Sequence, residues 1–245
     1  MDTGAHVDEH LPGRPAAPEP VRPPGAIPRA ITGWIRAGAI DSELAGLISI
    51  LIEHGLPLVV AAPNGPGAAG RSGAEMRAAL GRTLLACALA AQSTARTPEP
   101  TTVDAESLEA VLVRMPLLSL ESVDDSGARV AIVLVLEGGG SAWRVGAAHL
   151  LRPPLRDGHG HVQRQGPAVL ATWDRDAQRF EHFSWGVMAE LALLVDERSG
   201  DLEAAIDART ELLAGLVDHG VDDPGVVRLA VEAARGIPAT TAHRH

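Results

Sequence analysis

One junction, between Leu56 and Gln92, constrains this chain more than any other feature. An unbroken apolar run, LPLVVAA (Leu56 to Ala62), leads into a glycine-rich stretch, PNGPGAAGRS, and then into an Ala- and Leu-rich segment from Gly73 to about Gln92. A short apolar run with no polar alternation predicts a strand buried on both faces. The segment after the glycines predicts a helix. Strand, tight loop and helix in that order commit this part of the chain to an α/β sheet.

The loop has the spacing G-x-x-x-x-G-[basic]-S in Gly65, Gly70, Arg71 and Ser72, with a further glycine at Gly67. Glycines there allow consecutive backbone N–H groups to converge on a phosphate, and the following helix N-terminus adds partial positive charge. The Ser72 hydroxyl is then the expected ligand of a nucleotide-bound magnesium. The basic position is usually lysine, whose compact ammonium fits inside the curl of such a loop. The Arg71 guanidinium is larger, planar and forked, so the expectation is weakened or lost hydrolysis rather than loss of all anion affinity. The competing reading is that a Gly-, Ala- and Pro-rich chain reaches this spacing by chance, and the loop alone does not decide between the two.

The balance of charge narrows the function classes. All 21 basic residues are arginine, tyrosine is absent, and the formal net charge is -10. A chain this acidic lacks the basic footprint of a nucleic-acid binder and is expected to be soluble and cytoplasmic. Cys87 is the only cysteine, so no intrachain disulfide is expected. No apolar run is long enough to cross a bilayer, so any work at a membrane would go through partner proteins.

Residues 1–29 are rich in Pro, Gly and charge, without an apolar period, and are expected to form a disordered tail. From Ala30 the pattern becomes regular. Asp41 is a plausible N-cap, Leu44, Leu47, Ile48 and Leu51 follow at helical spacing, and Gly55 supplies the stop. TTVD (Thr101 to Asp104) predicts a short strand, and AESLEAVLVRM a helix ending at Pro116. RVAIVLVLE (Arg129 to Glu137) predicts a strand, with WRVGAAHLL its hairpin partner across Gly138 to Gly140. Leu151 to Gly166 reads as a loop. PAVLATWD and RFEHF flank the polar turn Asp174 to Gln178 and predict a second hairpin. Helices are expected over Val187 to Val195, Asp201 to about His219, and Pro224 to about Arg235, the last capped by Asp222 or Asp223. The expected divisions are a main domain over 30–198, a helical pair over 199–236 and a flexible tail over 237–245.

Four segments, in order, carry a resemblance. IRAGAIDSELAGLISILIEHGLPLVVAAPNGPGAAGRS resembles the approach to the phosphate loop in the ATPases of type II and type IV secretion and pilus assembly, especially the archaeal flagellar-motor and tight-adherence pilus branch. TTVDAESLEAVLVRM resembles that family's S-T-x-H-A-x-S segment and the helix after it. ATWDRDAQRFEHF resembles its late hairpin, and ARTELLAGLVDHGVDDPGVVRLAVEAAR its C-terminal helical pair. Two departures stand out. The family's histidine position falls on Asp104, which cannot donate to a phosphate when ionised. The stretch between the loop and TTVD is only residues 73–100, too short for the family's acidic box, arginine run and second acidic strand. A trace of the second acidic motif, G-E-x-R, is matched by Gly73-Ala74-Glu75-Met76-Arg77, which would make Glu75 the residue that polarises water. An ordinary first-turn glutamate favoured by the helix dipole accounts for Glu75 equally well.

The resemblance implies an α/β fold with a reduced P-loop NTPase-like sheet, β-hairpins and a helical C-terminus. It implies ATP and Mg2+ as ligands, no structural metal or redox cofactor, and partners among secretion or pilus machinery proteins, including ATPase subunits in a homo- or hetero-oligomer. The expected function is that of a degenerate subunit with weak or no hydrolysis, peripheral to the inner membrane through partners. An active ATPase and a nucleotide-independent scaffold are the alternatives. Elsewhere, His149, His159 and His161 match no standard zinc spacing and read as surface histidines. Cys87 reads as a small buried apolar residue, and Trp143, Trp173 and Trp185 as packing residues at strand or turn edges.

Overall fold

The computed structural model describes residues 27–64, 72–88, 100–114, 130–139, 142–153, 155–156, 162–163 and 165–235. Its centre is a six-stranded mixed sheet in the order β2-β1-β3-β4-β7-β8. The strands are β1 (Leu58–Ala62), β2 (Thr101–Asp104), β3 (Ala131–Glu137), β4 (Arg144–Leu151), β7 (Ala168–Asp174) and β8 (Arg179–His182). β1 is parallel to both β2 and β3, and every later pairing is antiparallel. The chain is therefore α/β, as the sequence predicts.

β1 is buried along its whole length because helices cover both its faces. Leu58, Val60 and Ala62 join Ile132, Leu134 and Leu136 of β3 in the larger core. Val59 and Ala61 point the other way, with Val103, Val133 and Val135, toward Val111 of α4 (Leu108–Arg114). The larger core is closed by α1 (Ile31–Arg36), α2 (Ser42–Glu53), α3 (Gly73–Ala88), α5 (Met188–Leu194), α6 (Ser199–Asp218) and α7 (Pro224–Arg235). The crossover β1–α3–β2 thus lies on one face and α4 on the other.

α2 sits deepest. Asp41 caps it by accepting from the Leu44 N–H at 2.9 Å, and every residue from Leu44 to Ile52 is buried. A helix apolar on all sides needs neighbours on all sides, and α6 crosses so closely that a Cβ on Gly46 would lie 2.6 Å from Thr210 Oγ1. Gly55 ends this segment in the left-handed region, at φ 89°. Leu202, Ile206 and Leu213 of α6 and Val227 and Val231 of α7 belong to the same core as β1.

The structure departs from the sequence reading in four places. α1 (Ile31–Arg36) stands where no helix is expected. The stretch read as a loop holds a two-residue strand pair, β5 (Leu155–Arg156) with β6 (Val162–Gln163), too short to leave a periodic signal. The sequence places Leu202, Ile206, Leu212, Leu213 and Leu216 on one side of α6, but the helix buries Arg209 between Ile206 and Leu213 and leaves Leu212 and Leu216 only partly buried, because Arg209 meets a carboxylate inside the core. Trp185, expected to pack, is 77% exposed on a 3-10 turn, Ser184–Val187. Among the described residues no helix is long and apolar enough to cross a membrane.

Candidate functional site at the carboxyl ends of the parallel strands

The chain leaves β1 through α3 for β2 on one side, while its other neighbour, β3, leads on to β4 on the opposite side, so the connections after these two parallel strands diverge. The crevice outside the carboxyl ends of such strands is where open α/β sheets bind ligands. In this chain that crevice holds the base of the glycine loop.

The two ends of the loop meet. A Cβ on Gly73 would lie 1.9 Å from the Pro63 carbonyl oxygen, so only glycine lets the start of α3 sit against the end of β1. The buried Trp143 ring closes the same spot, its Cη2 3.1 Å from that Cβ position. Gly65, Gly67, Gly70 and Arg71 lie between these ends and outside the described residues.

Ser72 and Glu75, the other two residues expected from sequence, are brought together. The Ser72 N–H donates to Glu75 Oε2 at 3.1 Å, and the Glu75 N–H donates to Ser72 Oγ at 3.3 Å. That reciprocal pair is a capping box, S-x-x-E, which satisfies two donors at the start of α3. In this arrangement the Ser72 hydroxyl accepts from the backbone and the Glu75 carboxylate points back along the chain. A magnesium-binding Ser72 or a water-polarising Glu75 would have to act from within this pairing, through the second lone pair of Ser72 Oγ or through Glu75 Oε1.

A second network pins the incoming side. Asp104, at the end of β2, accepts from the Asn64 N–H at 2.8 Å and from its side-chain Nδ2 at 2.7 Å. Arg77 of α3 donates to Asn64 Oδ1 at 2.7 Å and to the Ala62 carbonyl at 2.9 Å. Burial pushes the Arg77 guanidinium pKa down, and the Asp104 carboxylate opposes that shift. The resemblance singled out Asp104 but gave it no partner; Asn64 and Arg77 carry no sequence signal of this role. At the end of β3, Glu137 is held by Arg175 from the β7–β8 turn, with Nη2 to Oε2 at 2.7 Å.

The remaining candidates lie apart from the crevice. His149 is half-buried in β4; desolvation lowers its pKa, opposed by Glu109. His159 and His161 fall outside the described residues. Cys87 is buried on α3, its thiol pushed up to about 11 by burial, which leaves it protonated and unreactive. A scan against protein-family models gives no match to the chain, and none of the curated proteins matches it either.

Proposed function

We propose that this chain is a shortened, catalytically impaired relative of the secretion and pilus-assembly ATPases. It binds nucleotide weakly or not at all and acts as a nucleotide-sensing or structural subunit. Its partners are ATPase subunits or other parts of a secretion-type machine, and it works in the cytoplasm, held at the inner membrane by them. The observation that carries the reading is the closed base of the loop. Pro63 and Gly73 meet at the carboxyl end of a central parallel strand, with a helix N-terminus directed at the loop, and such a position favours anions.

Impairment is supported by what the candidate catalytic groups are doing. Ser72 and Glu75 are bonded to each other, and Asp104 is committed to Asn64. Among the described residues β2 is an edge strand, in keeping with loss of the strand that carries the second acidic motif. The same internal bonds favour a second reading, a nucleotide-independent scaffold. The active-ATPase alternative has Glu75 serve as the catalytic acid with the oxygen that does not cap α3.

Calorimetric titration with magnesium-ATP, on the wild type and an Arg71→Ala/Ser72→Ala variant, separates these readings. Binding in the wild type that disappears in the variant supports a functioning loop. No heat in either protein, where millimolar affinity of about -4 kcal/mol would register, refutes nucleotide binding and leaves the scaffold. Turnover abolished by Glu75→Gln would support the active enzyme.

A further inference from the structure

A groove lies between the segment 27–31, α3 and the first turn of α7, away from Ser72 and Gly73 at the start of α3. It has two adjoining lobes that share Arg29, Thr83 and Ala86 in their walls. One lobe, about 370 Å3, is walled by Ile31, Cys87 and Val227; the other, about 630 Å3, opens past Ile27, Ala79 and Arg82. The first is mainly apolar, and Ile31, Cys87 and Val227 are each almost fully buried. Volumes of ~300–1,000 Å3 with an apolar wall and a few polar groups are typical of small-molecule sites.

Charge distinguishes this groove from an ordinary surface crease. The chain is acidic, at -10, yet the described lining residues include three arginines, Arg29, Arg82 and Arg228, and no carboxylate. Among the described residues Arg29 and Arg82 have no ion-pair or hydrogen-bond partner. Arg228 has only a loose contact, 3.7 Å to Glu232 one turn along α7. Asp223, beside the groove wall at Pro224, is occupied in capping α7 through the Gly225 and Val226 N–H groups, and Glu53 is taken by Arg209 and Arg235. Thr83 Oγ1 is also committed, donating to the Ala79 carbonyl and accepting from Trp34 Nε1. The neutral Cys87 thiol adds to the apolar wall.

We propose that this groove binds a small amphiphilic anion, its apolar body between α3 and α7 and its acidic head among the guanidinium groups of Arg29, Arg82 and Arg228. Three guanidiniums that make only one loose ion pair among the described residues, beside an apolar wall, supply complementary charge for the head and a dry surface for the body. The proposal is independent of the nucleotide reading, because none of these residues belongs to the crevice at the strand ends.

The test uses two fluorescent probes on the full chain. 1-Anilinonaphthalene-8-sulfonate has an apolar body and one anionic head; N-phenyl-1-naphthylamine has nearly the same body without the charge. The expected result is saturable one-to-one binding of the sulfonate, roughly fivefold tighter than the neutral probe at low salt and converging with it at high salt. Arg29→Gln with Arg228→Gln should remove that preference and leave the affinity for the neutral probe unchanged. Ala86→Trp, at an exposed helix position in the shared wall, should weaken both probes about tenfold or more. Equal affinity for the two probes, non-saturable binding, or sulfonate binding indifferent to the arginine pair would each overturn the proposal. So would a folded Ala86→Trp variant that binds normally, since the dye would then sit elsewhere, as on the exposed Trp185. If Ala86→Trp disturbs folding, the arginine pair, both exposed, decides alone.

Discussion

Replacing Glu53 with glutamine should cost this fold more than any other single change among its charged residues. Glu53 ends α2, and one of its oxygens takes two guanidinium groups, Arg209 of α6 at 2.6 Å and Arg235 of α7 at 2.5 Å. Arg209 is 4% exposed and also reaches Ser49 Oγ at 3.1 Å. The geometry is that of close ion pairs rather than well-aligned hydrogen bonds, as Glu53 Oε1 has no bond of good angle. Glu53→Gln leaves a buried cation uncompensated beside a second one, and breaking such a pair costs about 3–5 kcal/mol. Arg235→Gln leaves the Glu53–Arg209 pair intact, at a site already 22% open to solvent. It also gives up the hydrogen bond from Arg235 to the Ala88 carbonyl, so its expected cost is about 1–2 kcal/mol. For a domain of this size, about 2–4 °C per kcal/mol translates the first change into a fall of at least roughly 6 °C. Urea unfolding monitored by circular dichroism, with the slope m unchanged, measures both. An Arg235→Gln variant as unstable as Glu53→Gln, or a Glu53→Gln variant within about 1 kcal/mol of wild type, would refute the reasoning.

Three further outcomes are expected. Gly73→Ala forces a Cβ to within 1.9 Å of the Pro63 carbonyl, so it should cost about 1–3 kcal/mol and shift the amide resonances of Asn64 and Ser72; an unchanged spectrum would mean that the loop ends are not in contact. Ser72→Ala and Glu75→Ala should each destabilise by up to about 1 kcal/mol, and a double variant no worse than either single one would identify a shared capping box. His182 is desolvated, which lowers its pKa, but the hydrogen bond and charge of Asp41, together with Glu43, raise it overall. A raised histidine contributes stability that is fully present below its unfolded value of 6.5 and is lost as pH rises through the folded value. The urea midpoint of wild type relative to His182→Gln should therefore fall from pH 6 toward pH 8, and a difference that stays constant with pH would show that the pair is not titrating.

Local signals made much of the fold legible. The Asp41 cap and Gly55 stop of α2, the Asp223 cap and Pro224 start of α7, and both hairpins stand where turn chemistry and patterning put them. Those devices act within a few residues, so the sequence displays cause and effect side by side. Arg209 shows what a local reading misses. Its burial rests on Glu53 and Arg235, brought in by the packing of two other helices, and a polar letter in an apolar stripe does not name its distant partner. α1 was missed because six residues span fewer than two turns, too few to establish a helical period. The β3–β4 bulge passes over Gly146, a glycine inside a strand pattern that could have signalled it, whereas the β4–β7 bulge passes over Leu170, with no glycine or proline to mark it.

The candidate site divides along the same line. The capping box is a four-residue pattern, visible in S-x-x-E, whereas the Asn64–Asp104 bond joins residues 40 apart. Yet that bond follows from a simple constraint on β2. Within TTVD only Val103 is apolar, so only the register that points Val103 into the core with Val59 and Ala61 leaves no polar side chain buried there. That register sets Ala61 opposite Val103 and Ala62 opposite Asp104. A slip of one residue would bury Asp104 and expose Val103, which costs roughly several kcal/mol for an unpaired carboxylate. With the register fixed, Asp104 emerges at the strand end just where the chain leaves Ala62 for Asn64, and its two oxygens meet the two donors of that residue. The anchoring of the loop's entry is therefore a consequence of how one valine is buried, and the polar network there rests on the core beneath it.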